Sequence, residues 1–214
     1  MIAWHFLPDH GRLNHTQTGE PLKVGQTVRV EGPVKLCSHG LHASERILDA
    51  LKYAPGSLLC LVRVGGEIAR SDDKLAGTER TILAMADATT MLRRFACDVA
   101  WRALKRERAA GREPDPRSWE AVRVARRFLV GKATREEMVA ARAAARAAAW
   151  EAAGAAARAV AWEAAGEAAG EAAGVAEIAF QNALLKCRAL KLLGITPAQY
   201  RRMKADDAEI GGER

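Results

Sequence analysis

Apolar residues occupy most of Ile2–Leu7 and stop at Pro8, a pattern that predicts a first strand. Residues 9–25 are polar and glycine-bearing and predict a loop. Thr27–Val30 alternates with a period of two, and Gly32-Pro33 turns the chain into a predicted short strand at Val34–Leu36. Ser44 is placed to cap a helix, since its hydroxyl can satisfy amides of the first turn. Ile47, Leu48 and Leu51 follow at helical spacing, and Pro55-Gly56 closes that segment. Ser57–Val64 is the strongest strand pattern in the chain. Gly65-Gly66 predicts a turn into a further strand at Glu67–Ala69, and Thr81–Met85 supplies one more.

From Asp87 the period changes from two to that of a helix. Met91, Leu92, Phe95, Val99 and Leu104 mark one face of a helix running to about Arg108. A loop with two prolines at 111–117 breaks it, and Trp119, Val122, Phe128 and Leu129 mark a shorter helix. Strands come first and helices second, which predicts an α+β fold with a small mixed or antiparallel sheet. Four segments follow from these shifts: an α+β domain over 1–86, basic helices packing on it over 87–133, an alanine-rich repeat over 134–194, and a short helix and tail over 195–214.

The repeat has its own logic. Thr134-Arg-Glu-Glu137 has the spacing of a capping box, so a helix starts there. No proline interrupts it before Leu193, and Gly194 with Pro197 provides the stop. Unbroken, it would extend on the order of 90 Å; alternatively it folds back. Residues 143–154 read AAARAAAWEAAG and residues 155–166 read AAARAVAWEAAG. Trp150, Gly154, Arg158, Trp162, Gly166, Gly170, Gly174 and Ile178 thus stand at every fourth position. A period of four drifts about 40° per step on a helix of 3.6 residues per turn, so the row winds around a straight helix and no flat partner follows it. Helix packing or self-association through 138–193 is one reading of this stretch, a low-complexity helical spacer is a second, and a specific ligand surface is a third.

Composition sharpens the picture in two places. The hydrophobic fraction of 49% overstates the core, because alanine after residue 138 buries little area. Charge is uneven: residues 87–134 hold 12 Lys and Arg against 6 Asp and Glu, whereas 1–86 hold 10 against 9 and 135–214 hold 11 against 11. Arg93, Arg94, Arg102, Lys105, Arg106, Arg123, Arg126 and Arg127 would line phosphates if this segment bound nucleic acid. Runs of this kind also form the solvated backs of amphipathic helices. No apolar run reaches membrane-spanning length, and no basic stretch leads into a long apolar one, so a soluble cytoplasmic protein is expected. The cysteines (Cys37, Cys60, Cys97, Cys187) are scattered, without a CxxC pair, and read as reduced thiols.

Candidate chemistry concentrates in Cys37-Ser-His-Gly-Leu-His-Ala-Ser44, which packs two histidines, a thiol and two hydroxyls into a strand-to-helix junction. Such a junction suits an anion, and His5 on the first strand would face the same region. Alternatively Gly40 makes the turn, Ser44 caps, and the histidines pack or face solvent. His39 and His42 lack an evident third ligand, so no metal is expected.

Trp4-His-Phe6, Gly40-Leu-His-Ala-Ser44, Asp49-Ala-Leu-Lys-Tyr53, the 58–64 strand, Asp72-Asp-Lys74 and Glu79-Arg-Thr-Ile-Leu83 together resemble a family of uncharacterised bacterial and phage proteins with an Ala/Trp-rich helical tail. That resemblance covers most of the chain and brings no activity with it. More remotely, the order of elements is similar to the ADP-ribosyltransferase fold. This second resemblance implies NAD as the ligand, His5 on the ribose, His42 where an aromatic stacks on nicotinamide, and Glu79 as the acid that steers transfer, with Gly40, Ser44 and Tyr53 around the cofactor. A carboxylate there would stabilise the oxocarbenium-like centre left when nicotinamide departs. Two positions depart from the pattern: His42 replaces the usual tyrosine, and Glu79 follows closely on the preceding strands. Three functions are expected on these grounds: a non-catalytic interaction or accessory protein of phage or mobile-element type, an NAD-dependent transferase or NAD-cleaving enzyme, and a nucleic-acid binder.

Overall fold

The computed structural model describes residues 1–13, 20–159 and 167–212. Its elements are β1 (Ile2–Leu7), β2 (Thr27–Arg29), β3 (Leu41–Ala43), α1 (Ile47–Lys52), β4 (Leu58–Arg70), β5 (Leu75–Asp87), α2 (Thr89–Ala109), α3 (Pro116–Phe128), α4 (Arg135–Ala159), α5 (Glu167–Leu192) and α6 (Pro197–Gly212). The fold is α+β, with five antiparallel strands among the described residues.

The sheet runs β1-β4-β5-β2, and β3 also pairs with β5, below β2. β4 and β5 are long because they form one hairpin, paired from Leu58–Asp87 to Arg70–Leu75. The expected turn at Gly65-Gly66 is instead an irregularity inside β4, where the register slips between Gly65 and Ile68. Gly66 takes a φ of +73°, and a Cβ there would sit 1.9 Å from Thr78 Oγ1, so the backbone bends where a side chain cannot follow. The separate strand expected at Glu67–Ala69 is therefore the continuation of β4. Across the sheet, Trp4 and Ser44 exchange two backbone hydrogen bonds of 2.8 and 2.9 Å, so β3 at the far edge curls back to meet β1.

Two further expectations are corrected. Val34–Leu36 is not a strand: Lys35 and His39 bond each other's backbones, and the chain reverses tightly between them. Cys37, at that reversal, has a φ of +68°. Ser44 does not cap α1, because its backbone is committed to Trp4; Arg46 takes the cap position without a side-chain cap bond. The remaining local signals behave as their chemistry dictates. Thr134 N–H donates to Glu137 Oε2 at 2.6 Å and Glu137 N–H to Thr134 Oγ1 at 3.1 Å, a complete capping box at the start of α4. Gly194, at φ +68°, ends α5 with Ile195 N–H bonded to the Leu190 carbonyl at 2.9 Å. Thr196 and Gln199 repeat the capping box at α6.

The chain divides into two compact units, one of residues 1–91 with 179–214 and one of residues 92–178. The first thus joins the C-terminal part of α5 and α6 to the α+β segment, a grouping that differs from the four consecutive segments of the sequence reading. Within it, Ala3, Leu7, Cys60, Val62, Val64, Leu75 and Ile82 form a buried cluster on one face of the curled sheet. Ile2, Trp4 and Phe6 point the other way and are equally buried, and Tyr200 of α6 stacks on Trp4 at a centroid distance of 5.7 Å. In the second unit, Trp101 and Trp119 meet edge to face at 4.8 Å, with Arg126 over the first and Arg108 over the second.

Whether 134–194 is one helix turns on residues 160–166, which lie outside the described residues, as does part of the second repeat copy. Of the row at every fourth position, only Gly174 and Ile178 fall among the described side chains. No helix among the described residues is long and apolar enough to cross a membrane.

Candidate functional site

Below the Trp4–Ser44 pair, β1 and β3 separate, and two adjoining clefts open between them. One has a volume of about 360 Å³ and is walled by Trp4, Phe6, Ala43, Ala50 and Tyr53, with Cys37 and Lys74 at its polar side. The other, about 190 Å³, is walled by Leu7, Leu13, Leu41 and Pro55 and reaches Arg80. His5, Phe6, His42 and Tyr53 line both. The expected convergence of His5 and His42 is therefore present, and Gly40, Ser44 and Tyr53 stand around the same openings.

Each of these groups is held by local structure. Gly40, at φ +124°, lets β3 begin close to its neighbours; a Cβ there would lie 3.1 Å from both Ala76 Cβ and Val34 Cγ1. His42 Nε2 accepts the Cys37 N–H at 3.1 Å, which assigns the ring proton to Nδ1 and fixes a neutral tautomer. Burial lowers the His42 pKa, the backbone bond at Gly40 opposes this, and Lys74 and Arg80 add to the lowering. Burial, then Arg80 and His42, hold His5 well below the ordinary histidine value. Both imidazoles are thus neutral at physiological pH. Tyr53 hydroxyl donates to Asp73 Oδ2 at 2.7 Å, while Lys74 Nζ sits 4.8 Å from its ring centroid, which steadies the aromatic wall.

Glu79 is not brought into this group. It pairs with Arg29 in β2 through a 2.9 Å bond to Arg29 Nε, is 43% exposed, and lines neither cleft. Its neighbour Arg80 faces inward, and successive residues of a strand point to opposite faces. No Asp or Glu lines either cleft among the described residues.

Arg80 is the candidate site residue that the sequence pattern does not single out. It is 3% exposed, donates through one terminal nitrogen to the His42 carbonyl at 2.8 Å, and has a buried Nε without a partner. No carboxylate among the described residues pairs with it. Desolvation lowers its pKa to about 10, so it still carries its charge at neutral pH. The Cys60 thiol beside it is pushed up to about 12 by burial and supplies no counter-charge. An unpaired buried cation costs on the order of several kcal/mol, so the fold tolerates a large local penalty here. A signal was present: Arg80 and Ile82 share one face of a period-two strand, which places a charge in an apolar row.

The basic segment is largely self-neutralised. Arg102 and Arg106 both pair with Glu177, Arg123 with Glu120, Arg126 with Asp98, and Arg127 with Glu120 and Glu137. Of the eight residues that would line phosphates, Arg93, Arg94 and Lys105 have no such pair among the described residues. No cluster of three metal-ligating side chains occurs among the described residues, and the four cysteines are free thiols.

Among known proteins, residues 13–94 are similar to a family described as a domain of unknown function (DUF7666). That stretch runs from the loop before β2 to the first turns of α2, so it includes Gly40–Ser44 around β3, Tyr53, Lys74 and Arg80 but not β1. No curated protein and no solved structure matches the chain.

Proposed function

We propose that this is a non-catalytic interaction protein of the phage or mobile-element accessory type, whose N-terminal unit recognises a nucleotide-class ligand or partner group in the β1–β3 cleft. In this reading the domain keeps the ADP-ribosyltransferase plan and has no carboxylate where transfer would need one. The observation that carries it is the composition of the cleft: aromatic walls, two neutral imidazoles, a buried guanidinium and no acid among the described lining residues. Aromatic walls with a few convergent polar groups are the usual make-up of a ligand site. Without a carboxylate, nothing in the cleft offsets the positive charge that develops as nicotinamide leaves. The helical tail supplies a surface for partners or for a second copy: Val175 and Ile178, one turn apart on α5, are 64% and 54% exposed.

NAD-dependent transfer is the second reading, favoured by the meeting of His5 and His42 and disfavoured by the position of Glu79. Nucleic-acid binding draws the least support, because most of its candidate cations are internally paired.

Isothermal titration of the full chain with NAD tests the site. Saturable binding is expected, lost in His42→Ala and retained in Glu79→Gln. Absence of heat at millimolar NAD with folded protein, or equal binding by His42→Ala, would remove the cleft as the binding site.

A further inference from the structure

Arg80 gives the cleft a chemical preference. We propose that its guanidinium is an anion-binding subsite, which takes one oxyanion group, a phosphate or a carboxylate, carried on a flat apolar body that fills the adjoining aromatic cleft. This deepens the reading that the cleft is a binding site and rests on it.

Three independent features point the same way. Arg80 is more than nine-tenths buried and lines the smaller cleft, yet its Nε has no partner and no carboxylate among the described residues pairs with it. Arginine offers a planar fork of donors matched to the two oxygens of an oxyanion, and only one of its terminal nitrogens has an assigned bond here, to the His42 carbonyl. The groups around it are neutral or cationic: His5 is uncharged, and Lys74 stands at the adjoining opening. An incoming anion therefore meets no like charge among these neighbours and finds one cation already stripped of water, where electrostatic attraction is least screened.

The shape of the clefts says what carries the anion. Phe6, His42 and Tyr53 are common to both openings, so a ligand with its charged end at Arg80 lays its body along Phe6 and Tyr53 toward Trp4. A bare ion would use the smaller cleft alone and leave the larger aromatic one empty. The inference is thus of an amphiphilic ring-bearing anion, such as a nucleoside phosphate or an aryl carboxylate.

The test compares charged and uncharged members of matched pairs on the full chain: adenosine 5′-monophosphate with adenosine, benzoate with benzamide, and inorganic phosphate as the bare ion. One charged member is expected to bind at least about 30-fold more tightly than its neutral counterpart, the scale of a charged hydrogen bond. Which pair shows the difference assigns the oxyanion as phosphate or carboxylate. Arg80→Met should abolish that difference while leaving the ligand-free protein no less heat-stable, because removing an unpaired buried charge relieves a desolvation cost. A residue held only for structure would lose stability on the same change. If Arg80→Met fails to fold, Arg80→Lys, which keeps the charge and loses the fork, should fold and bind the anion about tenfold less tightly. Equal binding of charged and neutral members, with both lost in His42→Ala, would overturn the anion subsite and leave the cleft a binding site. Binding of no probe by the wild type would overturn the subsite as well, and the NAD titration would then decide separately whether the cleft binds at all.

Discussion

Trp4→Ala is expected to lower the unfolding free energy of the N-terminal unit by about 4 kcal/mol, the middle of the range for truncating a buried aromatic side chain. Three roles converge on this residue. Its indole is 0% exposed on the outer face of β1. Tyr200 of α6 stacks on it, with an interplanar angle of 29°, so the indole anchors a helix remote in sequence. Its backbone also exchanges hydrogen bonds with Ser44, the contact at which the sheet curls onto itself. The alanine variant keeps the backbone bonds and leaves a large void beneath α6. Set against a total stability of roughly 5–15 kcal/mol for a small domain, such a loss removes between about a quarter and four-fifths of it. Urea unfolding followed by circular dichroism measures it. A cost below about 1 kcal/mol would mean that the void collapses and that α6 is not held at β1 in the way its stacking implies.

The second large effect belongs to a glycine. Gly77 lies in β5 opposite Leu41 of β3 and Ile68 of β4. A Cβ at this position would stand 2.5 Å from Val64 Cγ1 and 2.7 Å from the Gly65 carbonyl oxygen. Val64 is buried in the core and the carbonyl is part of the β4 backbone, so neither can step aside cheaply. Gly77→Val is expected to cost about 3 kcal/mol or more, the upper range for forced overpacking. It should also disturb the cleft, because the same stretch of β5 holds β3 and places Arg80 three residues on. Thermal unfolding gives the first quantity and NAD titration the second. A valine variant as stable as the wild type, with NAD binding intact, would show that β4 relaxes at its Gly65-Gly66 irregularity more freely than the packing suggests.

Both effects bear on what could be read before the fold was known. β1 was legible because a short apolar run ending at proline has few other homes, and α4 because Thr134 and Glu137 satisfy each other's amides at fixed spacing. β5 was legible only from Thr81 onward. Its first half, Leu75-Ala-Gly-Thr-Glu-Arg80, mixes small and charged residues, and it is a strand because β3 and β4 pair with it from both sides. Local pattern carries no trace of that. The glycine pair at 65 and 66 reads as a turn by composition, and only the continuing β4–β5 pairing distinguishes a bend within a strand from its end. Ser44 reads as a cap for a similar reason: its bond to Trp4 joins residues forty apart.

The site divides in the same way. The Gly40–Ser44 stretch that carries β3 is marked by its chemistry, and His5 by its place on an early strand. Glu79 stands out in the sequence by its likeness to a catalytic acid, whereas Arg80, one residue later, matches no such pattern. A period-two alternation puts these neighbours on opposite faces, so the two assignments could never both have pointed into one cleft. The curl of the sheet decides which of them does.

The central claim is that this cleft binds without performing transfer, and nicotinamide release tests it most directly. Wild-type protein and Glu79→Gln, each incubated with NAD, are to be followed for free nicotinamide by chromatography. The cleft described here predicts no release above that of buffer from either protein, even where NAD binding is saturable. Release by the wild type that disappears in Glu79→Gln would contradict the account and restore Glu79 as an acid acting on bound NAD.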